Sequence, residues 1–344
     1  MHIPDGYLSP QTTIPAIVGM IPLWGLALKR IKAAFKQKQM PLLALCAAFS
    51  FVIMMFNVPV GQSSVHAVGA VFIAILLGPW AACIAVSIAL VIQAFVFGDG
   101  GILAIGANCF NMAVAMPFVG YYVYKLIAGK SALTSKRGMI GIFAGSYFGI
   151  NIAALLTAVE FGVQPLLFKG IDGNPLYGYY PLSVSVPTMV FEHTIFAGPI
   201  EGIVTMAAIT YIARLAPHLL NNRTANRQTK QTFFAKYRTP LFGILTMVIL
   251  TPIGLIATGT AWGEWGGDEL KEKIGFIPKG FEKASAIWQA WMPDYAIPYL
   301  EGSFLHSSVG YIVSAVVGIL CIAIVTYITS KIVVREHKGH YDTE

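Results

Sequence analysis

Residues 66–97 read HAVGAVFIAILLGPWAACIAVSIALVIQAFVF, a stretch that contains no Asp, Glu, Lys or Arg. A membrane-spanning helix needs roughly 20 consecutive apolar residues, so the stretch suits two helices joined by a tight turn at Gly78-Pro79. The first of the two is short, and the pair could be broken or tilted helices. Of the 344 residues, 56% are hydrophobic and 11% are charged, whereas a soluble domain has about 25% charged residues. The sequence therefore predicts a protein that lies largely within a lipid bilayer.

Outward from this stretch, apolar runs predict nine membrane spans. If the N-terminus lies outside and the spans alternate in direction, 18 of the Lys and Arg residues fall inside and 5 fall outside. This asymmetry predicts an extracytoplasmic N-terminus and a cytoplasmic C-terminus in the cell (inner) membrane. The nine spans lie at about 13–28, 40–58, 66–78, 79–97, 102–124, 138–160, 190–213, 239–259 and 307–330.

Basic residues also divide the chain. Residues 214–238 hold six Lys and Arg and no acidic residue, which indicates a cytoplasmic linker. The basic clusters lie between apolar runs and form no basic face, so a nucleic-acid partner is excluded. We predict an all-α polytopic membrane protein, with a bundle of about seven helices in 1–213 and two further transmembrane helices in 239–344. The second part has an extracytoplasmic loop at 260–306.

The first residues have the composition of a metal chelate. Met1-His2-Ile3-Pro4-Asp5-Gly6 lacks the positive start and the cleavage site of a signal peptide, so Met1 is expected to keep a free amine beside His2. That amine, the His2 backbone amide nitrogen and the His2 imidazole Nδ1 can close two rings around a metal ion, nearly in one plane. A fourth nitrogen completes a square, which favours Ni²⁺ or Cu²⁺ over Zn²⁺, Mg²⁺ and Ca²⁺.

His66 is the best candidate for the fourth nitrogen. It ends the predicted outer loop 59–66, where the loop enters the third span, on the same face as the N-terminus and among small residues that let other backbone approach. The turn signal Pro4-Asp5-Gly6 could fold the first residues back into the bundle as a plug. The alternative is that His66 only caps a helix or lines a crevice. We predict that Met1, His2 and His66 bind metal.

Other polar residues at membrane depth are candidates for orienting these ligands. Such residues are costly in lipid and are often functional, and metal-bound histidines usually need a partner for the other ring nitrogen. The alternative is that they form hydrogen bonds between helices, which we favour for the pair Asn108 and Asn111. The candidates for surrounding and orienting the ligands are His193, Glu192, Glu201, Asn108 and Ser64.

Residues 1–9, MHIPDGYLS, resemble the N-terminal signature of the CbiM/NikM family, the substrate-binding S components of ECF-type cobalt/nickel importers. Ser64-Val65-His66, Gly106-Ala107-Asn108 and residues 198–202, GPIEG, extend the resemblance over about 1–213. The resemblance implies that the Met1 amine, the His2 amide and imidazole and the His66 imidazole hold the transported ion. It leaves open whether the ion is Ni²⁺ or, for cobalamin synthesis, Co²⁺.

The remainder, about 239–335, resembles the small two-span N component (NikN/CbiN-like, PDGLE-type) of the same importers. Its loop has the sequence PKGFE at 278–282, where that family typically has PDGLE. Residues 261–265, AWGEW, and 293–295, PDY, support this resemblance.

The energy for transport is expected to come from other subunits. The nearest approach to a Walker A motif is Gly129-Lys130-Ser131, and Tyr124 stands where the first glycine belongs. The resemblance implies an ECF coupling transmembrane subunit and cytoplasmic ATPase subunits as partners, and a chain that is neither an enzyme nor the holder of a resident cofactor. An intramembrane metalloenzyme is less favoured, because Ala197 stands where a second ligand four residues after His193 would be. A secondary permease is also less favoured, because no inverted repeat is evident.

Overall fold

The computed structural model describes residues 1–34, 40–220, 232–300 and 302–335, and most of them are helical. Within these ranges, six helices are long and apolar enough to cross a membrane by length and composition. The predicted all-α polytopic membrane protein is confirmed. The six are Pro10–Ala33, Pro79–Phe97, Lys136–Leu167, Leu182–Leu215, Phe233–Ile256 and Phe304–Lys331.

The stretch at 66–97 folds as two consecutive helices. Gly78 has a positive φ of 93° and Pro79 opens the second helix, which is the position in a helix where proline fits best. The predicted turn is therefore confirmed. The first helix has eight residues, and at 1.5 Å per residue it is too short to cross a bilayer. The opening helices are α1 (Pro10–Ala34), α2 (Met40–Met54), α3 (Ala70–Leu77) and α4 (Pro79–Ile92).

A short hairpin precedes α3. Strand β1 (Val58–Val60) pairs antiparallel with β2 (Ser63–Val65). The hairpin ends directly before His66, so the register of two short strands determines where this histidine enters the bundle.

Several helices contain π-helical turns, which are rare and are frequent at functional sites. These turns carry the buried polar residues Gln93, Asn111 and His193. Helix α4 continues as a π turn at Gln93–Phe97, and another at Cys109–Ala115 joins α5 (Ile105–Asn108) to α6 (Met116–Ala128). After α7 (Lys136–Leu167), α8 (Leu182–Glu192) passes through a π turn at His193–Ala197 into α9 (Gly198–Leu215).

Helices α6 and α7 pack through glycine. A methyl group at Gly120 would come within 2.7 Å of the Gly145 carbonyl oxygen, and one at Gly145 within 2.5 Å of the Gly120 oxygen. Small residues allow such close approach of helices inside a membrane, where packing rather than water expulsion favours association.

The C-terminal part packs against this bundle. Helix α10 (Phe233–Leu250) continues as a 3₁₀ turn at Thr251–Ile256, and α13 (Phe304–Arg335) packs on α2 and α4. Between them, residues 257–300, called here the C-terminal loop, include α11 (Gly267–Ile274) and α12 (Lys279–Ser285). Of the predicted linker 214–238, residues 221–231 lie outside the described residues.

Candidate metal centre

Residues 1–9 fold into the end of the bundle and are called here the N-terminal plug. Met1, His2 and Ile3 are 6%, 1% and 0% exposed. The backbone reverses at Gly6, whose φ of +95° suits glycine. The turn predicted at Pro4-Asp5-Gly6 is therefore present, and it folds the first residues back into the protein interior.

Hydrogen bonds to α5 and to the segment that leads into it hold the plug. The Asp5 carboxylate accepts hydrogen bonds from the backbone N–H of Ile102 (3.0 Å) and Leu103 (2.8 Å). Asn108 accepts from the Ile3 N–H at 2.8 Å and donates to the Ile3 carbonyl at 3.1 Å. Buried backbone groups must be paired to avoid a large desolvation cost, and the Asn108 bonds pair both backbone groups of Ile3, the residue after His2.

The two histidines of the predicted site lie face to face. The rings of His2 and His66 stack with centroids 5.1 Å apart and an interplanar angle of 29°. Glu201 fixes the segment that follows His66, because its carboxylate accepts the backbone N–H groups of Val68 (2.7 Å) and Gly69 (3.0 Å). Burial lowers the pKa of both imidazoles to about 4, so both are neutral at pH 7, the form that binds metal ions.

Glu264 of the C-terminal loop reaches the same point. One carboxylate oxygen accepts hydrogen bonds from the Met1 amine at 2.6 Å and from the His2 backbone N–H at 2.8 Å. Each of His2, His66 and Glu264 offers one ligand atom, and these atoms lie within 4.8 Å of one another. Burial raises the pKa of Glu264, but the charged amine and the two imidazoles outweigh it, so that the pKa falls to about 2.

Asp99 lies on the other side of His2. Its Oδ1 is 3.1 Å from His2 Nδ1, but the two atoms are not aligned as a hydrogen bond, and among the described residues neither His2 ring nitrogen has a hydrogen-bond partner. Asp99 Oδ2 accepts from the Tyr295 hydroxyl at 2.5 Å and from Gln93 at 3.1 Å. Burial raises the pKa of Asp99.

The residues predicted to surround the ligands fall into two groups. Ser64, Glu192 and His193 line a cavity of about 10 Å³ together with Met1 and His66, which is about the size of one water molecule. The two others, Asn108 and Glu201, act through the backbone of the plug and of the segment after His66.

Asn111 forms hydrogen bonds between helices, as favoured from the sequence for the asparagine pair. Its side chain donates to Thr157 Oγ1 at 3.1 Å and to Glu160 at 2.7 Å, so it links the fifth predicted span to α7. Asn108, one turn earlier, instead bonds the plug.

Glu264 and Asp99 were not selected from the sequence. Glu264 entered only as part of the AWGEW segment of the C-terminal part, and Asp99 lies in the turn Gly98-Asp99-Gly100-Gly101. In the sequence, each is an acidic residue in a glycine-rich outer loop. That pattern alone does not distinguish a metal ligand from an acidic residue in a solvated turn. Both line a cleft of about 590 Å³ between the bundle and the C-terminal loop. Asp5, His66 and Asp294 line the same cleft.

The fold is that of a multi-pass membrane protein, and three side chains that could hold a metal ion meet at one end of its bundle. The chain belongs to the CbiM family. The family model described as the cobalt uptake substrate-specific transmembrane region matches residues 2–219, and the model of the PDGLE domain matches residues 221–335. The family resemblance noted from the sequence is confirmed.

Relatives of similar length carry both parts. The chain is 44% identical over 338 residues to a fused nickel transport protein NikMN of Rhodobacter capsulatus, covering 94% of this chain and 95% of the relative. It is 40% identical to a probable fused nickel transport protein LarMN of Lactiplantibacillus plantarum, covering 93% and 94%. A crystal structure of a truncated transition metal transporter is 48% identical, with a TM-score of 0.58, over 62% of this chain and 98% of the solved one.

Proposed function

We propose that this chain is the substrate-binding component of an ATP-driven ECF importer and that it captures Ni²⁺ at the outer membrane face. The Met1 amine, the His2 amide and imidazole and the His66 imidazole are the proposed ligands. The observation that carries the proposal is the burial of the chain terminus, with the His2 ring stacked at 5.1 Å on His66. A terminal amine is strongly hydrated, so a protein that buries one next to two neutral imidazoles has a specific use for it.

The donor set favours nickel. Nitrogen donors in one plane suit Ni²⁺, whereas Zn²⁺ prefers a tetrahedron and Mg²⁺ and Ca²⁺ prefer oxygen. Ligation through the His2 amide requires loss of a very weakly acidic proton, which Ni²⁺ drives better than Co²⁺. Co²⁺ is the second candidate cargo, because the matching family model is named for cobalt uptake.

The proposed direction is inward. The excess of Lys and Arg on one side of the membrane supports an extracytoplasmic N-terminus. The plug, His66 and the C-terminal loop lie together at one end of the bundle. Under this proposal, an ECF coupling subunit and cytoplasmic ATPase subunits in the cell membrane reorient the loaded bundle and open its site inward, as the resemblance to the importer family implies.

Binding measurements on the purified chain in detergent test the ligand set. Titration calorimetry with Ni²⁺ and Co²⁺ should give tighter binding of Ni²⁺ to the unaltered chain. His2→Ala removes the imidazole that anchors amide ligation, and His66→Ala removes the fourth nitrogen, so each should weaken Ni²⁺ binding by at least about 100-fold. The matched control is His218→Ala, since His218 is exposed and should not affect binding.

Equal affinity of the His2→Ala chain and the unaltered chain would refute the ligand assignment. For the energy source, ATP-driven ⁶³Ni²⁺ uptake into proteoliposomes should require the coupling and ATPase subunits. Uptake by this chain alone at the same rate would refute the importer mechanism.

A further inference from the structure

The C-terminal part contributes a carboxylate to the centre, although the proposed ligand set lies entirely in the first 66 residues. Glu264 is 15% exposed and one of its oxygens contacts both backbone nitrogens of the proposed chelate, at 2.6 and 2.8 Å. Two ligands at right angles around an ion, with bonds of 2.0–2.1 Å, lie about 2.8–3.0 Å apart. Glu264 Oε1 is at a similar distance, but both N–H groups point at it, so it must shift aside when an ion takes the place of the protons. A carboxylate oxygen of Glu264 lies within 4.8 Å of a ring nitrogen of each histidine, which keeps it within reach of the same ion.

The chemistry of the chelate gives this oxygen a second reason to bind the ion. Glu264 accepts hydrogen bonds from the Met1 ammonium group and the His2 amide. Metal ligation removes one proton from the ammonium group and the only proton of the amide, and both protons are released to the solvent. The buried carboxylate then loses the amide as a donor and the positive charge of the ammonium group, which is unfavourable unless a cation takes their place.

The net charge of the loaded site also favours Glu264 as a ligand. A divalent ion bound to one ionised amide keeps one net positive charge in a buried site, and burying an uncompensated charge is costly. The Glu264 carboxylate, next to both backbone nitrogens, offsets this charge, and the Asp99 carboxyl group lies 3.1 Å from His2 Nδ1. Independently, both nitrogens of the 1% exposed His2 ring lack hydrogen-bond partners among the described residues, so the ring is free to coordinate an ion beside Glu264.

We propose that Glu264 is a ligand of the transported ion, so that the C-terminal part adds a carboxylate oxygen to the four proposed nitrogen ligands. This inference rests on the proposed function. The bound ion then has five ligands instead of four. The ion thus joins the N-terminal bundle to the C-terminal part. Metal capture therefore requires the C-terminal loop to be docked on the bundle.

Spin state and affinity test the inference on the full-length, nickel-loaded chain. Square-planar Ni²⁺ is diamagnetic and five-coordinate Ni²⁺ of this kind is paramagnetic, so the magnetic susceptibility measured by NMR should show paramagnetic nickel. Glu264→Ala should give diamagnetic nickel and weaken binding by at least about tenfold. Glu264→Gln should also weaken binding, because it removes the charge at nearly constant shape. Glu272→Gln, at an exposed position on α11, is the matched control and should change neither property.

The alternative is that Glu264 only pairs with the amine and leaves when the ion arrives. In that case the unaltered chain holds diamagnetic nickel and both substitutions tighten binding by removing a competitor, which overturns the inference. Unchanged affinity and spin state in the Glu264 variants also overturn it. In every variant, His66→Ala reports separately on the proposed function: if nickel binding survives that change, the nitrogen chelate is wrong, whatever Glu264 does.

Discussion

Asn108→Ala should release the N-terminal plug without disturbing the bundle. The Asn108 side chain makes two buried hydrogen bonds to Ile3, the residue after His2. The Ile3 carbonyl keeps a second partner, the Gly101 N–H at 2.8 Å, but the Ile3 N–H is left unpaired. Two lost hydrogen bonds of about 1 kcal/mol each and one unpaired buried donor give about 3 kcal/mol, or roughly 100-fold in the equilibrium between docked and released plug.

Hydrogen–deuterium exchange measures this equilibrium directly. The protection of residues 1–9 should fall by up to about 100-fold in Asn108→Ala, while α7 and α9 stay protected. Nickel affinity should fall as the released state becomes populated, because the ligands are then no longer assembled.

The chain offers a matched control one turn along. Asn111→Ala breaks the hydrogen bonds to Thr157 and Glu160, which are also buried but do not contact the plug. It should lower the melting temperature and leave nickel affinity unchanged. Equal effects of the two substitutions on nickel affinity, or intact plug protection in Asn108→Ala, would refute the reasoning.

Two further predictions concern the same segment. Asp5→Ala leaves the Ile102 and Leu103 N–H groups without their acceptor and should lower the free energy of plug docking by about 2–4 kcal/mol. A protease should then cleave within residues 1–9 faster. The control Asp172→Ala, at an exposed turn, should not change the cleavage rate. Acidification should also release the plug, because burial holds the pKa of His2 and His66 at about 4. Docking is fully stable above pH 6.5. Below it, release of the plug frees His2 and uncovers His66, and both then take up protons, which costs docking about 2 kcal/mol for each histidine by pH 5. Protection factors of residues 1–9 at pH 7 and pH 5 measure this, and equal values would contradict the assignment of neutral buried imidazoles.

Local signals in the sequence predicted most of the bundle and the approach of His2 to His66. Among the described residues, six of the nine predicted spans are helices long and apolar enough to cross a membrane, and the predicted spans at 40–58, 66–78 and 102–124 are shorter or divided helices. Apolar run length marks helices that must satisfy their backbone groups internally in lipid. Gly78-Pro79 and Pro4-Asp5-Gly6 are turns whose residues allow few other conformations. The predicted outer side, inferred from Lys and Arg, put the terminus and the 59–66 loop on one face, and His2 and His66 do stack in the structure.

The contribution of the C-terminal loop could not be read in the same way. Glu264 meets Met1 across 263 positions of sequence, and Tyr295 meets Asp99 across 196. Contacts of this range depend on how a mostly irregular loop docks, and neither residue lies in a periodic pattern that would indicate its direction. The role of Asn108 was open for a related reason: helical spacing placed Asn108 and Asn111 on one face, but their partners lie on the plug and on α7.

One measurement tests the central claim most directly: nickel binding by a chain that carries one alanine ahead of Met1. The extra residue turns the Met1 amine into an amide and moves the new amine about 3.8 Å along the chain, while every side chain is kept. With the mature start verified by mass spectrometry and the melting temperature unchanged, the account predicts that nickel binding is lost. Binding at the affinity of the unaltered chain would contradict it.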